Sequence, residues 1–147
     1  MIRVTTGQQE ETVIFRDMEG RLNTALAQLE FIIPVSQPAN DEYADTVEFV
    51  TNLTTTGDPI TIIATFPENN INLEDFNAQP LRFSGEIHLA GQVFLAPIQL
   101  EGIYQNNELI LDLEATITEG ARQVAGRGVE MLQLYAHGVR IVGLTNE

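Results

Sequence analysis

The sequence predicts an all-β fold built around an antiparallel meander, and three observations carry that expectation. Apolar and polar residues alternate with period two through residues 81–117. Short β-branched or aromatic runs bounded by Gly, Pro and Asn recur elsewhere, and no apolar stretch approaches the roughly 18 residues of a membrane helix. At 147 residues the chain is most simply one domain, 1–147, large enough to bury about two-thirds of its unfolded surface without covalent staples.

The meander is read from three runs separated by turn signals. In the first, Leu81, Phe83, Gly85, Ile87 and Leu89 share one face, while Arg82, Ser84, Glu86 and His88 share the other. In the second, Phe94, Ala96, Ile98 and Leu100 face one way, with Gln99 and Glu101 opposite. After a Gln105-Asn106-Asn107 turn, Leu109, Leu111, Leu113, Ala115 and Ile117 turn inward, and Glu108, Asp112, Glu114 and Thr116 turn outward. A sheet of this kind has one oily side, which a second sheet, closure on itself or a ligand must cover.

The remaining segments follow in chain order. Residues 2–6 and 12–16 are β-branched runs flanked by polar turns. Residues 25–35 alternate Ala27, Leu29, Phe31, Ile33 and Val35 against Gln28, Glu30 and Ile32, which predicts a strand closed by Pro34 and Pro38. In residues 40–53, Tyr43, Val47 and Val50 fall at helical spacing behind Asn40, a good N-cap, with Asp41 and Glu42 in the first turn. A short helix is expected near 41–53. Residues 59–66 put Ile60, Ile62, Ala64 and Phe66 on one side of a further strand, and the turn-rich stretch 67–80 reads as a long connection covering one end of the sheet. Near the C-terminus, runs at 129–136 and 139–144 flank His137-Gly138, which is expected to be a hairpin turn.

Composition excludes several function classes. There is no cysteine, so disulfides, thiolate metal sites and cysteine nucleophiles are ruled out. Against 21 acidic residues stand seven arginines and no lysine, a formal net charge of −14. Such a polyanion repels nucleic acid and anionic lipid surfaces, so no nucleic-acid partner is expected, and the acidity is read as a solubility device. The first twenty residues are polar and lack the pattern of a secretory signal. The expected location is therefore cytoplasmic, or periplasmic if a leader preceded Met1.

Placed chemistry is hard to find. His88 and His137 are the two histidines, the first on the polar face of a strand and the second in a predicted turn, and no metal-ligand spacing such as H-E-x-x-H accompanies them. Asp112 and Glu114 project to one side of a strand, but a solvated face explains them better than an acid and base pair, which needs burial or a cleft. The glycines between Gly120 and Gly128 lack the strand, loop and helix context of a phosphate cradle. Neither Asp41, Glu42 and Asp45 nor Glu74 and Asp75 have calcium-loop spacing, and Asn52-Leu53-Thr54 is an isolated sequon. No catalytic residue, metal site or cofactor is expected.

The order of runs, however, resembles the YceI-like family. A strand ending in Ile33-Pro34-Val35 precedes an acidic segment. After a further strand and a long connection, Gly85, Ile87, Leu89, Gly91, Pro97, Ile98 and Leu100 fall near the family's Gly-x-Leu-x-Leu-x-Gly-x-x-x-Pro-Val-x-Leu pattern, with two extra residues between Gly91 and Pro97. The likeness covers about residues 25–117. Its usual Asn-Arg-x-Asp-Phe-Gly-like segment is missing, replaced by Glu119-Gly120-Ala121-Arg122-Gln123, and Asn40, Asp41 and Glu42 stand where the acidic loop usually has arginine and aspartate.

The resemblance implies a lipocalin-like antiparallel barrel of about eight strands with an elongated apolar cavity for a polyisoprenoid chain. Its lining would be Leu29, Phe31, Ile33, Ile62, Phe66, Phe83, Ile87, Leu89, Phe94, Leu109, Leu111 and Leu113, and the same twelve could equally fill a core. The expected function is a non-enzymatic carrier of an isoprenoid or other long-chain lipid. The alternative is an all-β structural or interaction protein that self-associates or decorates a larger assembly, suggested by Ile32, Ile63, Val93, Leu95 and Ile110 on nominally polar faces.

Overall fold

The structure, a computed structural model, describes residues 2–6, 9–13, 18–34, 58–67, 71–89, 91–118 and 129–142. These residues form nine strands: β1 (Ile2–Thr6), β2 (Gln9–Val13), β3 (Glu19–Asn23), β4 (Gln28–Ile33), β5 (Ile60–Thr65), β6 (Leu81–Leu89), β7 (Gln92–Gln105), β8 (Glu108–Ile117) and β9 (Val129–Val142). A single-turn 3-10 helix, Leu73–Asn77, lies between β5 and β6. The helix expected near 41–53 falls outside the described residues.

Strand order shows how the oily side of the meander is covered. β3 to β8 pair consecutively and antiparallel, and β9 joins β8 on one edge and β3 on the other, so strands β3 to β9 close into a barrel. With seven strands alternating in direction, the first and last must run the same way. The closing pair is accordingly parallel, and it is short: Gly20 faces Ile141 and Arg21 faces Val142. The β1–β2 pair is attached to the other half of β9, where Ile2 faces Leu134. β1 and β3 thus share one edge of β9 in succession.

Local sequence explains the corners. Asn106 and Asn107 both adopt positive φ, 55° and 61°, the geometry of a two-residue turn whose twist matches its strands. Ala27, at φ 52°, closes the β3–β4 turn. There the Leu26 amide donates to Asn23 Oδ1 at 3.2 Å, and the Phe66 amide donates to the Ala27 carbonyl at 2.9 Å, which ties this turn to the end of β5.

Residues 129–142 form one continuous strand, and the expected hairpin turn at His137-Gly138 is not there. Between Leu111–Val139 and Leu113–Ala136 the ladder shifts register, so His137 and Gly138 together oppose Asp112. That is a β-bulge, with Gly138 at φ 65° and its amide donating to Asp112 Oδ1 at 2.8 Å. A glycine able to take positive φ is the signal for a turn and for a bulge alike, which is why the sequence pattern misplaces it.

Glycine is also required where strands approach closely. A Cβ on Gly20 would stand 2.5 Å from Ile141 Cδ1 and 2.9 Å from Val139 Cγ1, and one on Gly85 would overlap Ile98 Cδ1 and approach the Ile63 carbonyl oxygen to 2.6 Å. Gly20→Val is therefore expected to lower stability by about 1–3 kcal/mol by overpacking the closing seam, whereas Ser84→Ala on the exposed face of β6 should stay within about 0.5 kcal/mol; urea unfolding measures both. Asp112→Ala removes the acceptor that holds the bulge, and a loss of about 1 kcal/mol with faster amide exchange at Gly138 is expected.

Candidate functional site: an apolar barrel interior

Period-two alternation in a closed barrel sends every second side chain into one interior. Leu22 comes from β3; Leu29, Phe31 and Ile33 from β4; Ile60, Ile62 and Ala64 from β5; and Phe83, Ile87 and Leu89 from β6. β7 adds Phe94, Ala96, Ile98 and Leu100; β8 adds Leu109, Leu111, Leu113, Ala115 and Ile117; β9 adds Leu132, Leu134, Val139 and Ile141. All are buried. None carries a polar atom beyond its backbone, so these side chains cannot orient a hydrogen-bonding substrate or move a proton.

The twelve residues expected either to line a cavity or to fill a core are all buried here. Six of them, Leu29, Phe31, Ile62, Ile87, Leu109 and Leu111, have no exposure at all, and the most exposed, Phe94, shows 9%. The sequence reading missed Leu22, Leu132, Leu134, Val139 and Ile141, and it missed Phe76, which reaches the interior from the 3-10 turn and is 3% exposed. An apolar residue amid the polar stretch 71–80 was the available signal for the last of these. Across β5, β6 and β7 the register aligns Ala64, Gly85 and Ala96, a row of small inward positions over which Ile98 leans.

Aromatic rings cluster at one end of the interior. Phe66, just past β5, meets Phe83 edge to face, with centroids 5.4 Å apart and planes at 83°, and Phe76 lies tilted at 36° to Phe83 with centroids 6.3 Å apart. An edge-on contact such as Phe66–Phe83 adds about 0.5–1.5 kcal/mol beyond the area it buries.

The outer wall carries the charge. A depression of about 460 Å³ lies over β7, β8 and β9 and is lined by Gln99, Glu101, Asp112, Glu114, Tyr135 and His137 with Leu113 and Val139. His137 Nδ1 approaches Asp112 Oδ1 at 2.8 Å, an ion pair when the imidazole is protonated, but the ring is almost fully exposed. On the same wall Arg140 pairs with Glu108, and Arg21 Nε stands 3.9 Å from Glu30 Oε2. Asp112 and Glu114 thus face the outside, as expected, and Asp112 braces the bulge. His88 lies on the outward side of β6, with its Nε2 3.8 Å from Glu86 Oε1. Among the described residues no group of three or more His, Asp or Glu side chains could hold a metal ion, and no helix is long and apolar enough to cross a membrane.

Several large apolar side chains remain on the outer wall: Val93, Leu95 and Ile110, as expected, together with Leu26, Ile103 and Val142. Leu95 is 85% exposed. Ile32 and Ile63 are half-buried.

Neither a family model nor a curated protein matches the sequence. Comparison with solved structures finds a crystal structure of a mutant CJ YCEI protein made for nanotechnology applications. The match has 14% sequence identity and a TM-score of 0.55, over 92% of this chain and 88% of that one. The resemblance inferred from the runs between residues 25 and 117 is therefore met in three dimensions, and the chain has the YceI-like barrel fold.

Proposed function

We propose that this protein is a non-enzymatic carrier or sequestering protein for a long apolar chain, an isoprenoid or another long-chain lipid, held along the barrel axis. The observation that carries this reading is the uniformity of the interior: among the described residues, the inward side chains of seven closed strands are apolar, while the carboxylates are on the outside. A chain entering that interior gains roughly 25 cal/mol per Å² of apolar surface withdrawn from water, and it needs no placed polar partner to do so. Ile98, which fills the space above the small positions Ala64, Gly85 and Ala96, has to move aside for such a chain. The YceI-like fold supports the same reading.

The exposed apolar side chains favour a second reading, a subunit that associates through its outer wall. Register places Ile63, Glu86 and Leu95 in one row and Thr61, His88 and Val93 in the next, so Ile63, Val93 and Leu95 form a patch interrupted by Glu86 and His88. Static light scattering separates the two: a monomer at high concentration removes the second reading and leaves the first intact.

Native mass spectrometry of protein purified from its host, followed by organic extraction, is expected to release a long-chain lipid. Repeated recovery of unliganded protein from several preparations would count against the carrier. Leu111→Arg is expected to abolish lipid uptake or unfold the barrel, because it buries an unpaired charge among apolar side chains. Glu114→Gln, on the exposed wall, should change neither stability nor uptake, and loss of uptake from it would point to chemistry outside the lumen.

A further inference from the structure

The outer wall over β7 and β8 carries an apolar pair set in a rim of carboxylates. On the outward side of these strands the ladder places Ile103 opposite Ile110, Glu101 opposite Asp112, and Gln99 opposite Glu114, as three successive rows. Ile103 is 63% exposed and Ile110 44%, and both line a depression of about 420 Å³ together with Glu108, Asp112 and His137. Asp112 and His137 also line the depression of about 460 Å³ that contains Glu101 and Glu114. The two depressions thus adjoin along the outer face of β8, apolar at Ile110 and acidic towards Glu114.

Charge on this face is incompletely matched. Arg140 pairs with Glu108, and Asp112 Oδ1 accepts from the Gly138 amide and meets His137. Glu101 and Glu114 have no ion-pair partner among the described residues. That imbalance selects among occupants. A second copy would bring another formal charge of −14 against the same rim, and an anionic lipid surface or a nucleic acid would bring phosphates. A basic partner removes the repulsion, and an apolar side chain on it covers the two isoleucines.

Spacing narrows the partner further. Side chains two residues apart on an extended chain share a face and stand about 7 Å apart, so Ile110, Asp112 and Glu114 repeat along β8 at the period of any other extended segment. We propose that this face docks an extended segment of another protein with the pattern apolar-x-basic-x-basic. The apolar side chain rests on Ile103 and Ile110, the first basic residue meets Glu101 and Asp112, and the second meets Glu114. Such a segment lies on the face of the sheet, so it needs no free strand edge. It leaves the barrel interior untouched, and the proposal is independent of the carrier reading.

The test titrates the full chain with three capped peptides and follows isoleucine methyl resonances. The first is Ser-Leu-Ser-Arg-Ser-Arg-Ser, the second its acidic counterpart Ser-Leu-Ser-Glu-Ser-Glu-Ser. The third, Ser-Leu-Arg-Ser-Arg-Ser-Ser, keeps the composition of the first but moves both arginines to the face opposite the leucine. The first peptide should shift Ile103 and Ile110 while Ile62 and Ile87 inside the barrel stay fixed, and added salt should weaken it. Its dissociation constant is expected to rise about two- to fivefold in Glu101→Gln, the loss of one exposed ion pair, and about fivefold in Ile103→Ser. Both substitutions are at exposed positions, and circular dichroism establishes that each variant is folded. Equal affinity for the acidic or the reordered peptide, unchanged affinity in either variant, or no methyl shift at millimolar peptide would overturn the docking site. A dimer of the free protein that Ile103→Ser dissociates, read by light scattering, would also overturn it, because the face would then belong to a second copy.

Discussion

Closing an antiparallel meander with an odd number of strands forces one parallel pair, and in this chain that pair is two residues long. Gly20–Ile141 and Arg21–Val142 are the seam that turns a sheet with one oily face into a barrel with an inside. Everything the interior does depends on that closure. Without it, the buried faces of β4 to β8 would be an exposed apolar surface, and the edges of β3 and β9 would offer unpaired amides to other chains. The seam is tight for a definite reason: at Gly20 the Ile141 and Val139 side chains occupy the space a Cβ would need.

Closure then sorts the chemistry. Because the side-chain period is two, a strand whose apolar set faces inward must send its polar set outward, and from β3 to β8 the strand carboxylates of this highly acidic chain stay outside the core. Asp112 shows how little of that charge is placed for chemistry: one oxygen holds the Gly138 amide, and His137 beside it is open to water. An interior lined with hydrocarbon and an exterior of solvated carboxylates suit binding by apolar burial.

Much of this was legible in the sequence because it rests on local periodicity. The inward faces of the three meander strands and of residues 28–33 and 60–65 follow directly from alternation, and the twelve residues expected either to line a cavity or to fill a core are buried. What sequence reasoning missed depends on partners far away in the chain. β3, Glu-Gly-Arg-Leu-Asn, has little intrinsic strand preference and is held by its neighbours β4 and β9. β9 reads as two strands around a glycine, and only its pairing with Asp112 on β8 makes that glycine part of a bulge. Phe76 and Asn77 lie in a stretch of turn formers; Phe76 is buried beside Phe83, and Asn77 can bond both backbone groups of Tyr104 because β7 outruns β6 by several residues.

The carrier reading requires an apolar ligand to enter the interior and not to rest on the apolar patch of the outer wall. Methyl-resolved nuclear magnetic resonance with a nitroxide-labelled fatty acid separates them most directly, because paramagnetic broadening marks the methyl groups nearest the label. Broadening of Ile62, Ile87 and Leu111 with Val93, Leu95 and Ile103 left sharp is the expected result. Broadening confined to Val93, Leu95 and Ile103, with the interior methyls unchanged, would contradict it.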